Sequence, residues 1–125
     1  MIADTTFLSD LHHEREQGRR GPALNFLAAH RNQVTLTTVI SAGELALIFP
    51  SLVDARRFLS HYRLLRLTPE IAYAAAEVDR ELMQTGDRLG ENDNWIAGFC
   101  RYYGQPIISR DGAFDRVPRL RRFNY

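Results

Sequence analysis

The sequence predicts an α/β fold in three layers, α/β/α, with a central parallel sheet of about five strands and helices on both faces. Three observations lead there. Four short apolar or β-branched stretches, at 2–3, 34–39, 64–67 and 106–109, are spaced along the chain, and 121–125 offers a fifth, edge strand. The segments between the first four carry apolar residues at helical spacing. Strands alternating with helices pair in parallel through right-handed crossovers, which places helices on both faces of the sheet.

The elements follow in order. Ile2-Ala3 reads as a strand ending at Asp4, after which Phe7, Leu8 and Leu11 recur at helical spacing. The charged stretch from Glu14 to Arg20 breaks the helix near Gly18–Gly21, and Pro22 suits the first turn of a second helix to about Arg31. Val34 to Val39 alternates and is β-branched, the strongest strand signal in the chain. Ser41 then stands three residues before Glu44, a capping-box spacing, and the helix runs on through Leu45, Leu47 and Ile48. Pro50 interrupts, and Leu52, Val53, Phe58 and Leu59 form an amphipathic helix to about Tyr62. Leu64 to Leu67 is strand-like, and a long helix from Pro69 to Gln84 ends at Thr85-Gly86. Asn92 or Asp93 opens the next helix, with Trp95, Ile96, Phe99 and Cys100 toward the core, and Gly104 stops it. Pro106 to Ser109 is a buried strand, Arg110 to Pro118 a loop with a short turn, and Arg121 to Tyr125 an edge strand.

At 125 residues, with 45% hydrophobic and 25% charged residues, the chain fits one globular domain, 1–125. No apolar run reaches the roughly 18 residues of a membrane span, and no basic region precedes an apolar one at the N-terminus. A cytoplasmic protein without a membrane partner is expected. The single cysteine, Cys100, is read as a buried helix residue, and His12, His13, His30 and His61 as surface or satisfied residues.

All 16 basic residues are arginine, against 15 acids, for a net charge of +1. Arginine's rigid fork suits phosphate oxygens and its plane stacks on bases, although a biased genome produces the same composition. The absence of lysine excludes receiver domains, haloacid-dehalogenase-type phosphotransferases and P-loop enzymes, whose phosphoryl sites require one.

Four acids stand at strand ends or helix starts: Asp4, Glu44, Asp93 and Asp111. In open α/β sheets the carboxyl ends of the strands form the site, and all four can reach that edge. A buried carboxylate is costly without a partner, and a divalent cation would supply one. An all-oxygen donor set points to Mg²⁺ or Mn²⁺ rather than zinc, and such an ion supports attack of water on a phosphodiester. The alternative for Glu44 is a plain helix cap.

The words around these acids resemble the PIN-domain ribonucleases, in particular VapC-type toxins of bacterial toxin–antitoxin pairs. MIADTTFLSDL is similar to the family's first strand with its Asp-Thr-Thr, and ISAGELAL to its second-acid helix. GENDNWIAGFCRYYGQPIISRDGAFDRVPRL is the most specific block. The resemblance covers the whole chain and implies a PIN-like domain in which Asp4, Glu44, Asp93 and Asp111 hold Mg²⁺ or Mn²⁺ and carry catalysis. It implies Thr6 and Ser109 as hydroxyls orienting acids or water, an RNA substrate (tRNA or ribosomal RNA among the family's targets), a cognate antitoxin and a homodimer. Many relatives place the fourth acid directly before the Phe; here Ala113 precedes Phe114 and Asp115 follows it, so Asp115 is the alternative to Asp111. Arg110 and Arg116 flank the proposed pit as phosphate contacts or as surface residues. Trp95, at a position usually aliphatic, is a core or dimer-interface aromatic or a base-stacking one. The segment from Leu45 to Phe58 packs the core, or forms a clip over the site or an antitoxin groove. The other readings are a non-catalytic PIN-like module that binds RNA or protein, and a housekeeping RNA-processing nuclease of the same fold.

Overall fold

In the computed structural model, which describes all 125 residues, the chain runs β1 (Ile2–Ala3), α1 (Thr5–Glu16), α2 (Pro22–Ala29), β2 (Leu36–Thr38), α3 (Val39–Ala46), α4 (Leu52–Leu59), β3 (Arg63–Leu65), α5 (Pro69–Thr85), α6 (Glu91–Tyr103), β4 (Ile107–Ile108), a 3-10 turn (Gly112–Arg116) and β5 (Arg122–Phe123). The five strands form one sheet in the order β3-β2-β1-β4-β5, and every pairing is parallel. The three-layer α/β/α architecture expected from the sequence is therefore present.

Strand alternation divides the core in two. Successive residues of a strand face opposite sides of the sheet. Ala3 and Ile108 accordingly join Phe7, Leu11, Phe26, Leu45 and Phe58 on one face, under α1 to α4. Ile2 and Ile107 join Leu65, Ile71, Val78, Ile96 and Phe99 on the other, under α5 and α6. Each fully buried Leu, Ile or Phe contributes about 1.5–3 kcal/mol, so two filled faces support strands of only two or three residues. No helix is long and apolar enough to cross a membrane.

Strand order places the site. From β1 the chain moves outward to β2 and β3, then returns to lay β4 and β5 on the other side of β1. The order therefore switches between β1 and β4, and ligands of open parallel sheets bind outside the carboxyl ends of the strands at such a point.

Local structure departs from the sequence reading in several places: α3 ends at Ala46 short of Leu47 and Ile48, the third strand is Arg63–Leu65 rather than 64–67, and three further differences stand out. The second strand is only Leu36–Thr38, and Val34 is 70% exposed. Thr38 caps α3, its hydroxyl accepting the Ser41 amide at 3.1 Å, so the Ser41–Glu44 capping box does not form and Ser41 is buried inside the helix. α6 starts at Glu91 behind Gly90, which puts Asp93 in its first turn rather than at its cap. Glu14 also has a task the sequence did not show. Its carboxylate accepts the amides of Gly21, Ala23 and Leu24 at 3.1, 3.0 and 2.8 Å and caps α2 from α1.

Candidate metal centre

Asp4 is the most deeply placed of the acids, only 3% exposed. It follows β1 directly and caps α1, its Oδ1 accepting the Phe7 amide at 2.7 Å. Burial raises its pKa to about 6; hydrogen bonds from Ser109 and Phe7 oppose the rise, and the charges of Asp93 and Asp111 add to it. Asp93 is also raised, first by burial and then by Asp111 and Glu44. No arginine offsets either group. The four predicted acids thus form one electrostatic set in which Asp4 and Asp93 have no counter-charge, while Arg122 acts on Asp111 from outside.

Glu44 is held at both oxygens. The Thr5 hydroxyl donates to Oε2, and Asn92 Nδ2 donates to Oε1 at 2.7 Å, which links α1, α3 and α6 around this side chain. The hydroxyl on this acid belongs to Thr5, whereas Thr6 was the threonine expected to orient acids. Thr5 is the residue the sequence reading missed; the Asp-Thr-Thr word offers both hydroxyls, and only the helix phase after Asp4 selects between them. Ser109 is fully buried; it accepts the Asp111 amide at 3.0 Å and is hydrogen-bonded to Asp4.

Asp111 and Asp115 have different surroundings. Asp111 caps the 3-10 turn through the Ala113 amide, at 2.8 Å, and its charge acts on both Asp4 and Asp93. Asp115 is taken up by Arg122 in a two-point ion pair at 2.8 and 2.7 Å, which holds its carboxyl below the ordinary range. Arg110 pairs with Asp10 at 3.0 Å, and Arg116 is exposed.

The donor set suits a hard divalent cation. All candidate ligands are carboxylates, the charges of its neighbours add to the proton affinity of Asp4 and of Asp93, and burial makes the unshared charge of Asp4 costly. No group of three or more acids, histidines or cysteines is gathered closely enough to hold a metal ion by itself. An ion such as Mg²⁺ needs none, because it keeps several waters and takes one or two carboxylates plus substrate phosphates. Asp4, Asp93 and Asp111 would hold it, with Glu44 beside Asp93.

Comparison with known proteins agrees with this topology. The PIN domain family model matches residues 1–120. This chain belongs to the PIN domain family. No curated protein matches it by sequence. Solved structures similar to this PIN domain include VapBC2 from Rickettsia felis bound to a DNA fragment from its promoter, with a TM-score of 0.79 and 19% identity over 98% of this chain and 96% of that one. VapBC-1 from nontypeable Haemophilus influenzae is similar at a TM-score of 0.78 and 19% identity over 98% and 96% of the two chains. A toxin–antitoxin complex from Klebsiella pneumoniae is similar at a TM-score of 0.73 and 20% identity over 95% and 93%. At these identities the likeness shows the fold.

The remaining residues are distributed as follows. Cys100 is buried and its thiol pKa pushed up by burial. His12 packs on Phe49 with ring centroids 4.3 Å apart, and His30 stacks on Phe26 at 4.0 Å. Between Leu45 and Phe58 the apolar residues divide: Leu45, Phe49, Ala55 and Phe58 fill the core, while Leu47, Leu52 and Val53 are exposed. Leu52 lines an apolar groove of about 510 Å³ with Ala42, Ala46, Leu59 and Tyr62. Trp95 belongs to neither core cluster.

Proposed function

We propose that this PIN domain is an endoribonuclease dependent on Mg²⁺ or Mn²⁺ and acts as the toxin of a toxin–antitoxin pair. The observation that carries the reading is Asp4, buried at the switch point of the sheet, raised to about 6 and facing Asp93 and Asp111 with no basic partner. Such an arrangement is destabilising by itself, and a bound cation accounts for it. The metal, when bound, would lower the pKa of a coordinated water and offset charge on the phosphate. The chain's own part is positional. Asp4, Asp93 and Asp111 present oxygens to the ion, Asn92 and Thr5 hold Glu44, and Ser109 ties Asp4 to Asp111. The all-arginine basic complement of the chain suits an RNA backbone.

The antitoxin is proposed from the complexes that share the fold and from the apolar groove between α3 and α4. An amphipathic helix laying its apolar side against Leu52, Leu59 and Ala46 would cover side chains now in water. A homodimer remains part of the proposal.

Induced expression in a bacterial host tests the reading. Growth should stop, new RNA 5′ ends should appear at discrete positions, and Asp93→Ala should abolish both effects. Continued growth with intact RNA would contradict the toxin reading, and arrest that persists in Asp93→Ala would contradict the catalytic one.

A further inference from the structure

A cleft of about 500 Å³ opens at the edge of the sheet opposite the acids. Its walls come from the last turns of α6, from Gly104 to Pro106 ahead of β4, and from Val117 to Arg121 ahead of β5. β4 and β5 run parallel, so these segments meet at the amino ends of the strands, whereas Asp4 and Asp111 follow carboxyl ends. The charge here is of the other sign. Arg101, Arg119 and Arg121 line the cleft, and no acid does.

The three arginines are held differently. Arg101 is 17% exposed and fixed: Nη1 and Nη2 donate to the Glu81 carboxylate at 2.7 and 2.9 Å, and Nη2 also to the Pro118 carbonyl at 3.2 Å. Arg119 reaches the same Glu81 only at 3.8 Å with 82% of its side chain exposed, a contact that water screens. Arg121 lies over the face of Phe123, 4.4 Å from the ring centroid, which orients the guanidinium without using its N–H groups. Three arginines against one glutamate leave two positive charges. Gln105 adds a donor, because its Oε1 accepts from the Met1 amino group at 3.1 Å and its amide nitrogen is left over. The Arg101 and Cys100 carbonyls at the end of α6 are taken by the amides of Gly104 and Gln105, which blunts the negative helix end.

Arg119 also breaks a local rule. The Leu120 amide closes a turn on the Val117 carbonyl at 3.2 Å, with Pro118 in its second position and Arg119 in its third. Arg119 has a φ of 64°, the one non-glycine residue of the chain at positive φ. A turn with proline second and a left-handed third residue favours glycine or asparagine there, because a Cβ is strained in that region. Strained residues of this kind gather at ligand clamps.

We propose that this cleft binds a small phosphomonoester of nucleotide size, its phosphate held by Arg119, Arg121 and Gln105. A phosphomonoester carries about −1.5 to −2 charges at neutral pH, which matches the two unspent positive charges, and guanidinium forks suit its oxygens. The cleft leaves room beyond the phosphate, and Pro106, Val117 and Leu120 offer an apolar wall to the rest of the molecule. The site is separate from the acids, and the inference does not rest on the ribonuclease reading.

AMP is the probe, titrated by calorimetry in buffer free of phosphate and metal. One saturable site per chain is expected, with inorganic phosphate competing more weakly and adenosine not binding. Arg119→Gly and Arg121→Ala should each weaken AMP binding by about 10- to 100-fold, and Arg31→Ala, an exposed arginine outside the cleft, should not. Arg119→Gly separates binding from folding: glycine suits the left-handed position, so this variant should melt no lower than the wild-type protein. No binding of AMP, equal binding of adenosine, or binding unchanged in both cleft variants would overturn the inference. So would an RNA of about 12 nucleotides with hydroxyl ends that displaces AMP at equimolar amounts, since the occupant would then be a diester backbone.

Discussion

Asn92 holds Glu44: its Nδ2 donates to Glu44 Oε1 at 2.7 Å and joins the first turn of α6 to α3. The contact spans 48 residues of sequence and fixes the acid that α3 contributes from within its length. Groups that orient metal ligands typically contribute 10- to 100-fold in affinity or activity. Asn92→Ala is therefore expected to lower RNA cleavage by about tenfold while the melting temperature changes little, because Asn92 is exposed. Cleavage rate and melting curve on the same preparation check this.

Asp111 and Asp115 separate by their partners. Asp111→Asn removes a carboxylate that acts on Asp4 and Asp93, and cleavage should fall by at least about 100-fold. Asp115→Asn removes only an exposed carboxylate paired with Arg122 and should leave cleavage unchanged. Parallel assays of the two variants decide the fourth position.

The metal-free protein should lose stability as pH rises from about 4 to 6. Asp4 has a folded pKa of about 6 against an ordinary 3.8, so the native state binds its proton more tightly than the unfolded state. The contribution is fully present below pH 4 and is lost as pH climbs through the folded value, to the extent of about 3 kcal/mol. Urea unfolding in EDTA at several pH values should show this fall, and Asp4→Asn, whose amide oxygen still caps α1, should flatten it. Mg²⁺ at pH 7 should restore part of the loss in the wild-type protein and none in Asp4→Asn.

Gly98 tests the packing of α6. A valine there would drive its Cβ into the Ala75 backbone, 2.8 Å from Cα and N, and overpacking of this kind costs about 1–3 kcal/mol. Gly98→Val is expected to lower the denaturation midpoint accordingly, whereas Gly43→Ala, with open space around it, should not.

Much of this arrangement was legible in the sequence, and what was missed has local causes. Apolar stretches followed by helical spacing located every strand, since the core faces impose alternation at Ile2-Ala3 and Ile107-Ile108. Their ends were less legible. Thr38 rather than Ser41 caps α3, because both carry hydroxyls and only the end of β2 decides which is extended. The candidate acids were singled out by their position at strand ends or helix starts, but not the residues that hold them. Thr5 differs from Thr6 by one step of helix phase, and Asn92 meets Glu44 only through the crossover that brings α6 back over α3. Arg122 capturing Asp115 was likewise invisible, because it depends on β5 pairing beside β4.

The central claim is that these acids cut RNA through a divalent ion. End-labelled RNA incubated with the wild-type protein in Mn²⁺, then in EDTA, then with Mn²⁺ restored, tests it most directly. The account predicts discrete fragments, their absence under chelation, and their return, with Asp4→Ala and Asp93→Ala silent throughout. Cleavage that continues in EDTA, or in either variant, would contradict it.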